Sequence, residues 1–244
     1  MIGKSIRLNR IISDPSGKAC IMPIDHGLTL GPILGLENIE DLITKVTSSG
    51  VDSVILHKGM LKKMANYNIG KNSYIMHLSG STILSNDSGY KVLVADVEEA
   101  VRYGADAVSI QVNFGNKHEH EVLRDFGIIS RQCEKYGMPL LVMVYCENNI
   151  DTLVHASRAA EELGADMIKI NCLDNIELFD IIKQVVNIPI FVSGGEKTEF
   201  DKIASMVDIC IKKGATGISI GRNIFQSKNA GEIAYKLSEI VKRN

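Results

Sequence analysis

Residues 162–170 read ELGADMIKI, and this stretch recurs in altered form three more times along the chain. The other copies are SSGVDSVIL (48–56), RYGADAVSI (102–110) and KKGATGISI (212–220). Each copy has a glycine able to adopt a positive φ, then a short turn and a run of β-favouring apolar residues. This order is typical of a helix that ends, turns and leads into a buried strand.

The glycines of the four copies are spaced far enough apart for two strand–helix units each. Additional apolar strands are indicated where this spacing requires them: CIMPI (20–24), YIMHL (74–78), PLLVMVY (139–145) and PIFVS (189–193). Amphipathic stretches that predict helices follow most strands: 37–49, 97–103, 119–136, 151–163, 176–186, 199–213 and 230–242. Residues 59–73 are the least regular segment, with room for a short helix.

Eight continuous apolar strands that alternate with helices indicate a buried parallel sheet. In 244 residues, they predict a (β/α)8 barrel that forms one domain over residues 1–244. A doubly wound Rossmann sheet is the alternative. It is disfavoured because no G-x-G-x-x-G follows the first strand and no P-loop sequence occurs. No low-complexity linker suggests a second domain.

The composition is globular, with 45% hydrophobic and 23% charged residues and a net charge of −2. This balance disfavours nucleic acid as a partner, and no apolar run reaches membrane-spanning length. The N-terminus lacks the apolar block of a signal peptide. The five cysteines form no C-x-x-C pair and predict reduced thiols in a cytoplasmic protein: Cys20, Cys133, Cys146, Cys172 and Cys210.

The carboxyl ends of the predicted strands carry a concentration of ionisable side chains, where such barrels place their active sites. These side chains are Asp25, His26, His57, Lys58, His77, Tyr145 and Lys169. Surface charges scattered without function would not collect at one end of the strands. We therefore expect a reactive site at this end of the barrel.

Lys169 stands inside its strand, five residues after Gly164. The matching positions in the other copies are Ile55, Ser109 and Ser219, so lysine is the exception at a core position. Removal from water favours the neutral amine, which is the form that a Schiff-base lysine uses. The alternative is a structural lysine paired with a carboxylate inside the barrel.

Three other strand-end residues are each open to two interpretations. Lys58, eight residues after Gly50, is either a ligand for a substrate phosphate or a solvated loop residue. Tyr145 is either a proton shuttle or a core tyrosine with a bonded hydroxyl. Asp25 has no obvious local cap to serve and opens a long turn over 27–36, which suits a site loop. Its alternative role is to neutralise a nearby lysine.

The last two strand ends, SGGEK (193–197) and IGRN (220–223), predict a phosphate site. Their glycines let backbone N–H groups approach an anion, and an arginine adds a charge-assisted contact. Barrels frequently bind phosphate at this pair of loops. The candidate ligands are Ser193, Gly194, Gly195, Gly221 and Arg222.

A zinc site is the main mechanistic competitor, because His26, His57 and His77 follow three different strands. A buried lysine nearby would repel the metal ion. The residues therefore favour chemistry without a metal or another cofactor.

Eight ordered motifs over nearly the whole chain resemble the class I aldolases of archaeal type. They are MPIDHGLTLGP, VILHKGM, IMHLSGST, GADAVSIQVNFG, GMPLLVMVY, GADMIKIN, VSGGEKT and GISIGRNIFQ. The family includes fructose-bisphosphate aldolases and 2-amino-3,7-dideoxy-D-threo-hept-6-ulosonate synthases, which feed an alternative route to 3-dehydroquinate for aromatic amino acids. Each motif alone is weak, whereas the ordered set is specific.

The resemblance implies that Lys169 is the Schiff-base lysine, Tyr145 the proton-transfer residue and Asp25 the acid/base carboxylate. It implies phosphate binding by the glycine loops and Arg222, and we include His26 and Lys58 as further substrate-binding candidates. The implied partners are a phosphorylated sugar and an aldehyde. A homo-oligomer, commonly a decamer, is also implied.

Two departures from the family pattern bear on the substrate. YCENNID (145–151) lacks the Pro-Arg-Gly that usually follows the tyrosine, and Glu196 stands where proline is common. A missing arginine weakens recognition of a second phosphate or carboxylate, so we expect a ketose monophosphate and the synthase reaction rather than bisphosphate cleavage. A metal-dependent aldolase or epimerase and a non-catalytic sugar-phosphate sensor remain as alternatives of other classes.

Overall fold

The structure is a computed structural model that describes residues 2–64, 72–146, 150–171 and 177–243. In it, eight parallel strands close into a barrel in chain order, and the last strand pairs with the first. The barrel strands are β1 Ala19–Pro23, β2 Ser53–Leu56, β3 Ser73–His77, β6 Ala107–Asn113, β7 Leu140–Tyr145, β8 Met167–Ile170, β9 Ile190–Ser193 and β10 Gly217–Ser219. The predicted (β/α)8 barrel is confirmed, and the Rossmann alternative is excluded.

Helices surround this barrel on its outside. Seven of them lie where the sequence predicts helices: α3 Ile39–Thr47, α5 Val97–Arg102, α6 Glu119–Tyr136, α7 Ile150–Glu162, α8 Glu177–Val185, α9 Phe200–Lys212 and α11 Ala230–Lys242. The irregular segment 59–73 contributes α4, Lys58–Met64, and its residues 65–71 lie outside the described part of the chain. No helix among the described residues is long and apolar enough to cross a membrane.

Several elements were not predicted from the sequence. Helix α1, Ile2–Ile11, precedes the barrel, and a small antiparallel pair joins β4, Ser79–Gly80, to β5, Val92–Leu93. The predicted turn 27–36 begins within a short helix, α2, His26–Leu30. A second short helix, α10, Arg222–Phe225, follows the last barrel strand. The pair β4–β5 and helix α2 matter most, because they form part of the wall of the site described below.

The core has two layers. The larger layer lies between the barrel and its surrounding helices, and the smaller one fills the barrel interior. Leu8 and Ile11 of α1 pack into the interior layer together with Ile21 and Phe191. Helix α1 therefore supplies apolar side chains to the barrel interior, which leaves the opposite, carboxyl end of the strands available for polar groups.

The four glycines of the sequence repeat all adopt a positive φ, as predicted. Their φ values are 91° at Gly50, 72° at Gly104, 96° at Gly164 and 99° at Gly214. Space is also restricted at Gly164, where an added Cβ would lie 2.4 Å from Ser130 Oγ. At this position glycine is required both by backbone conformation and by close packing.

Candidate active site

A cavity of about 260 Å³ opens at the carboxyl end of the barrel strands. It is lined by side chains from several different strand ends: Asp25, His26, Thr29, Leu30, His57, His77, Ser79, Lys91, Gln111, Met143, Tyr145, Lys169 and Arg222. The three residues that the sequence singled out for catalysis, Lys169, Tyr145 and Asp25, are therefore brought to one cavity.

Lys169 reaches this cavity from the inner face of β8. Its neighbours in register are Met143 on β7 and Phe191 on β9, both of which belong to the apolar barrel interior. Lys169 is only 7% exposed to solvent. Among the ion pairs between described residues, none includes Lys169, and the carboxylate that acts on it electrostatically is Asp25. The geometry thus gives no support to a structural lysine neutralised by a direct carboxylate partner.

Asp25 occupies the N-cap position of α2 but makes no side-chain capping hydrogen bond. One carboxylate oxygen lies 3.6 Å from His26 Nδ1, and the other lies 3.8 Å from His77 Nε2. Burial raises the pKa of Asp25, but electrostatic interactions with His77, His26 and Lys169 together outweigh burial and hold the pKa below its usual range. Asp25 is therefore an ionised carboxylate near neutral pH, and capping does not occupy it.

His77 is held in a fixed orientation under Asp25. Its Nδ1 lies 2.8 Å from Ser109 Oγ, and its Nε2 lies 3.3 Å from Ser79 Oγ. Ser79 Oγ in turn accepts a hydrogen bond from the Gln111 backbone N–H. Burial lowers the pKa of His77 to about 3, although Asp25 opposes the shift. The imidazole is thus neutral under ordinary conditions. Ser109 and Ser79 hold its two ring nitrogens in place next to the Asp25 carboxylate.

Tyr145 stands at the carboxyl end of β7, across the barrel mouth from Asp25. In the closed order of strands, β7 and β1 lie four strands apart in either direction. The tyrosine is 43% exposed, so its ring belongs to the rim of the cavity rather than to the core. The alternative of a buried core tyrosine is therefore wrong, and the side chain has access to a ligand in the cavity.

A second cavity, of about 350 Å³, adjoins the first at the loops after β9 and β10. Arg222 lines both cavities. Gly194 and Gly195 also line the second one, and Gly195 has a φ of 61°, which favours glycine. Arg222 Nη1 lies 3.6 Å from an oxygen of Glu196, whose side chain is 91% exposed. The loops that the sequence predicts to bind phosphate therefore form an open, glycine-lined surface with a guanidinium beside it.

The sequence reasoning missed Asn223, which holds this loop in shape. Its Nδ2 donates to the carbonyl oxygens of Gly194 (2.9 Å) and Glu196 (3.0 Å). Its Oδ1 accepts from the Thr198 backbone N–H at 2.9 Å. Asn223 is buried next to Arg222, so the motif IGRN contains both a candidate ligand and the side chain that supports the loop.

Not every predicted site residue reaches these cavities. Lys58 begins α4, and its Nζ lies 3.2 Å from Glu99 Oε2, away from the cavity wall. In the described residues its charge is directed toward α5, and substrate binding by Lys58 stays a prediction. Ser193 and Gly221 are not among the described residues that line the two cavities, and phosphate binding by them stays a prediction. At Gly221 an added Cβ would lie 2.6 Å from the Pro23 carbonyl oxygen, so glycine is required there by close packing.

Two predictions fall outside the described residues. One concerns residues 147–149 of the short loop after Tyr145, and the other concerns Cys172.

In the part of the chain that the structure does describe, no three His, Cys, Asp or Glu side chains are arranged to hold a metal ion. His57 and His77 meet edge to face, with ring centroids 5.2 Å apart, and burial lowers the pKa of both.

The largest omission from the sequence reasoning is Lys91. It lies between a polar turn and β5, where nothing in the local pattern indicates burial. It is nevertheless only 8% exposed and lines the same cavity as Lys169. Thr29 and Ser79 on the cavity wall were missed for the same reason, because short polar segments carry no periodicity that predicts which way a side chain faces.

Known proteins resemble this chain over its full length. Residues 19–227 match the sequence pattern of the DeoC/LacD aldolase family. The 2-amino-3,7-dideoxy-D-threo-hept-6-ulosonate synthase 1 of Archaeoglobus fulgidus is 40% identical over 100% of this chain and 93% of its own. The 2-amino-4,5-dihydroxy-6-oxo-7-(phosphonooxy)heptanoate synthase of Streptomyces griseus is 34% identical over 98% and 90%. A solved Schiff-base-forming fructose-1,6-bisphosphate aldolase is 30% identical, with a TM-score of 0.87 over 98% and 99% of the two chains.

These similarities agree with a barrel whose inward lysine shares one cavity with a carboxylate and a phenol. The family match covers most of the chain, and the Archaeoglobus synthase is 40% identical to it along its whole length. The chain belongs to the DeoC/LacD aldolase family and is an enzyme of the class I, Schiff-base-forming aldolase type.

Proposed function

We propose that this enzyme is a 2-amino-3,7-dideoxy-D-threo-hept-6-ulosonate synthase-like aldolase. It takes a three-carbon unit from a ketose monophosphate and transfers it to an amino-aldehyde acceptor. The observation that carries the proposal is Lys169, a buried lysine on the cavity wall that belongs to no ion pair between described residues. Such an amine is placed to attack a carbonyl group that enters the cavity, because no carboxylate of the described residues is in contact with it.

Covalent catalysis would begin when Lys169 Nζ adds to the ketone carbon of the donor. Loss of water from the carbinolamine gives an iminium ion. Asp25 accepts the proton of the hydroxyl group on the carbon beyond the bond that breaks, and the bonding electrons move to the iminium nitrogen. An aldehyde fragment leaves, and an enamine remains on the lysine.

The second half of the cycle reverses these steps with a different aldehyde. The enamine carbon attacks the acceptor carbonyl carbon, and the alkoxide that forms takes the proton that Asp25 gained in the first half. Water then hydrolyses the iminium ion and frees Lys169. We assign the proton transfers at carbinolamine formation and breakdown to Tyr145, because its phenol lies on the cavity rim across from Asp25.

Donor orientation is proposed to come from the second cavity. Backbone N–H groups near Gly194 and Gly195, together with Arg222, would hold the phosphate of the donor. Arg222 lines both cavities, so a phosphate at the glycine loop and a ketone carbon at Lys169 are compatible with one bound molecule. His26, which lines the first cavity next to Asp25, is proposed as a further substrate contact.

The deciding assay compares two reactions with the same enzyme preparation. One is condensation of aspartate semialdehyde with a deoxyketohexose phosphate donor, and the other is cleavage of fructose 1,6-bisphosphate. We expect condensation to have the higher kcat/KM. Efficient bisphosphate cleavage without condensation would assign the enzyme to the other branch of its family. Loss of either activity on addition of a chelator would point to a metal-dependent mechanism instead.

We also propose that residues 1–244 act as one domain, in a homo-oligomer that works in the cytoplasm. Barrel strands from Ala19 to Ser219 close on each other, which supports one domain. The decamer is inferred from the family resemblance, and exposed apolar side chains such as Leu34 and Leu84 are available for subunit contacts. No disulfide joins the cysteines that the structure describes, as in a reducing compartment. Light scattering coupled to size-exclusion chromatography measures the assembly directly.

A further inference from the structure

Lys91 is a buried lysine of the first cavity, which also contains Lys169, and the proposed reaction does not use it. Its Nζ donates to Ser81 Oγ at 2.7 Å and to Thr29 Oγ1 at 3.3 Å. No ion pair between described residues includes it. An ammonium group has three donors and a full charge, and buried charges in proteins are normally paired. Here one donor and the charge itself are left for something that enters the cavity.

The groups around Lys91 set its charge but do not neutralise it by contact. Burial lowers the pKa of Lys91, and Asp25 is the carboxylate that opposes this shift. Both oxygens of Asp25 already face histidines, His26 on one side and His77 on the other. The positive charge of Lys91 also acts on His57 and His77 and disfavours their protonation. An anion placed beside Lys91 would therefore meet a cation that no carboxylate of the described residues contacts, together with neutral imidazoles.

The hydroxyl groups beside Lys91 are oriented for such an anion. Ser81 Oγ donates its proton to the Ser88 carbonyl oxygen at 2.6 Å, so it serves Lys91 as an acceptor. Thr29 Oγ1 also accepts from Lys91, and Thr29 lines the cavity. Its own hydroxyl proton is thus free to point into the cavity. Lys91 Nζ and Thr29 Oγ1 together offer a cation and a neutral donor side by side.

The position of Lys91 is opposite to the phosphate loop. Lys91 directly precedes β5, which pairs with β4, and β4 follows β3 after a single residue. In the closed barrel, β3 and β9 lie four strands apart in either direction. In a 7-deoxy product the transferred three carbons end in a methyl group, so a donor phosphate held at Gly194 departs with the aldehyde that leaves. The side of Lys91 stays open for the far end of the incoming aldehyde.

We propose that Lys91, assisted by Thr29, binds the carboxylate of the aldehyde acceptor. This inference rests on the proposed synthase function and identifies the acceptor as an aldehyde with a carboxylate at its far end. One ammonium and one hydroxyl match a carboxylate of charge −1, whereas a phosphate dianion usually receives several donors or an arginine fork. The site supplies the anion recognition that the loop after Tyr145, which has no arginine, was expected to lack.

The test is a kinetic comparison of Lys91→Met and Lys91→Arg with the unmodified enzyme. At saturating donor, Lys91→Met should raise the KM for aspartate semialdehyde by about tenfold or more, the range of a hydrogen bond to a charged group. Lys91→Arg should recover part of the loss. With an aldehyde of similar length that lacks the carboxylate, Lys91→Met and the unmodified enzyme should have similar kcat/KM values. Lys212→Met, which removes an exposed lysine paired with Asp208, is the matched control and should leave every value unchanged.

Two further measurements separate acceptor binding from a purely structural tie between Thr29 and Ser81. Borohydride trapping of Lys91→Met with the donor alone should still modify Lys169, and its thermal unfolding midpoint should stay near that of the unmodified enzyme. Loss of the donor adduct together with a lower midpoint would show a structural role and overturn the proposal. An unchanged KM for aspartate semialdehyde in a variant that remains active would overturn it too.

Failure of the proposed function has a different signature. If the unmodified enzyme condenses no amino-aldehyde, both the function and the acceptor site are rejected together. If it cleaves fructose 1,6-bisphosphate and Lys91→Met raises the KM for that substrate, Lys91 serves a second phosphate and the carboxylate assignment is wrong. If the unmodified enzyme condenses aspartate semialdehyde and only the Lys91 result fails, the synthase function stands without this site.

Discussion

Asn223 and Gly194 are joined across the last two strand ends, where Asn223 Nδ2 donates to the Gly194 carbonyl oxygen at 2.9 Å. The same amide group donates to Glu196 and accepts from Thr198, so one buried side chain fixes three points of the glycine loop. A loop with no secondary structure of its own takes its shape from such contacts. The phosphate site we propose therefore depends on a residue that does not face the ligand.

Asn223→Ala should raise the KM for the phosphorylated donor by about tenfold and lower the free energy of unfolding by roughly 1–3 kcal/mol, the cost of unsatisfied buried groups. Asn223→Asp keeps the acceptor for the Thr198 N–H but loses both donors, so it should also impair donor binding. Steady-state kinetics and urea unfolding measure the two effects. A donor KM within a factor of two of the original in both variants would contradict the role given to this residue.

Glu196 carries a negative charge beside the guanidinium of Arg222, 3.6 Å away. A phosphate that binds there must compete with this carboxylate. Glu196→Gln should therefore lower the KM for the phosphorylated donor, by up to about fivefold given the strength of exposed ion pairs. The gain should shrink in high salt, which screens the repulsion.

The matched control for that change is Glu199→Gln, which removes an exposed acid that makes no capping hydrogen bond and lines neither cavity. It should leave the donor KM where it was. An equal drop in both variants would show that net charge, rather than the position of Glu196, sets the affinity.

The barrel could be predicted from the sequence because its signal is repeated. The glycine in each copy marks a helix end by its conformation, and the apolar run after it marks a buried strand, so the four copies reinforce one another. Lys169 was identifiable because it breaks the pattern at a position that the other copies fill with Ile55, Ser109 and Ser219. A residue that departs from its own repeat is visible without any structure.

What could not be predicted arises from tertiary contacts between short segments. Strands β4 and β5 have two residues each, too few for any alternation to show. Lys91 stands in a polar stretch that is typical of an exposed turn, and it is buried only because Thr29 and Ser81 pack around it. The direction of Lys58 could not be predicted for a similar reason, since its ion-pair partner Glu99 lies on another element.

His77 makes the stability of the protein depend on pH. Its folded pKa of about 3 lies below the unfolded value of 6.5, so the unfolded chain takes up a proton first as the pH falls. Stability is therefore full above about pH 6.5 and declines below it. Between pH 7 and pH 5, this one group should remove about 2 kcal/mol from the free energy of unfolding.

Burial also lowers the pKa of His26 and His57, which act in the same direction. Asp25, with a lowered pKa, affects stability only at more acidic pH. A comparison of His77→Asn with the original chain isolates the contribution of His77. Urea unfolding measures how much the free energy of unfolding decreases from pH 7 to pH 5, and this decrease should be smaller by about 2 kcal/mol in the variant. Parallel pH profiles would contradict the assignment of a neutral, buried imidazole.

Tyr145→Phe removes only the phenol oxygen from the cavity rim. Because the side chain is half-exposed, the fold should tolerate the change, and the donor KM should move little. The kcat should fall by about a hundredfold or more, the usual contribution of a positioned proton donor. Steady-state rates and a far-UV spectrum check both statements. A kcat within about threefold of the original would assign the proton transfers to another group.

The central claim is that Lys169 forms the covalent bond to substrate. The most direct measurement is sodium borohydride reduction in the presence of a deoxyketohexose phosphate, followed by peptide mapping with mass spectrometry. The account predicts one stable adduct, located on Lys169, and none in Lys169→Met. An adduct on Lys91 or Lys58, or none at all from an enzyme that turns over the same donor, would contradict it.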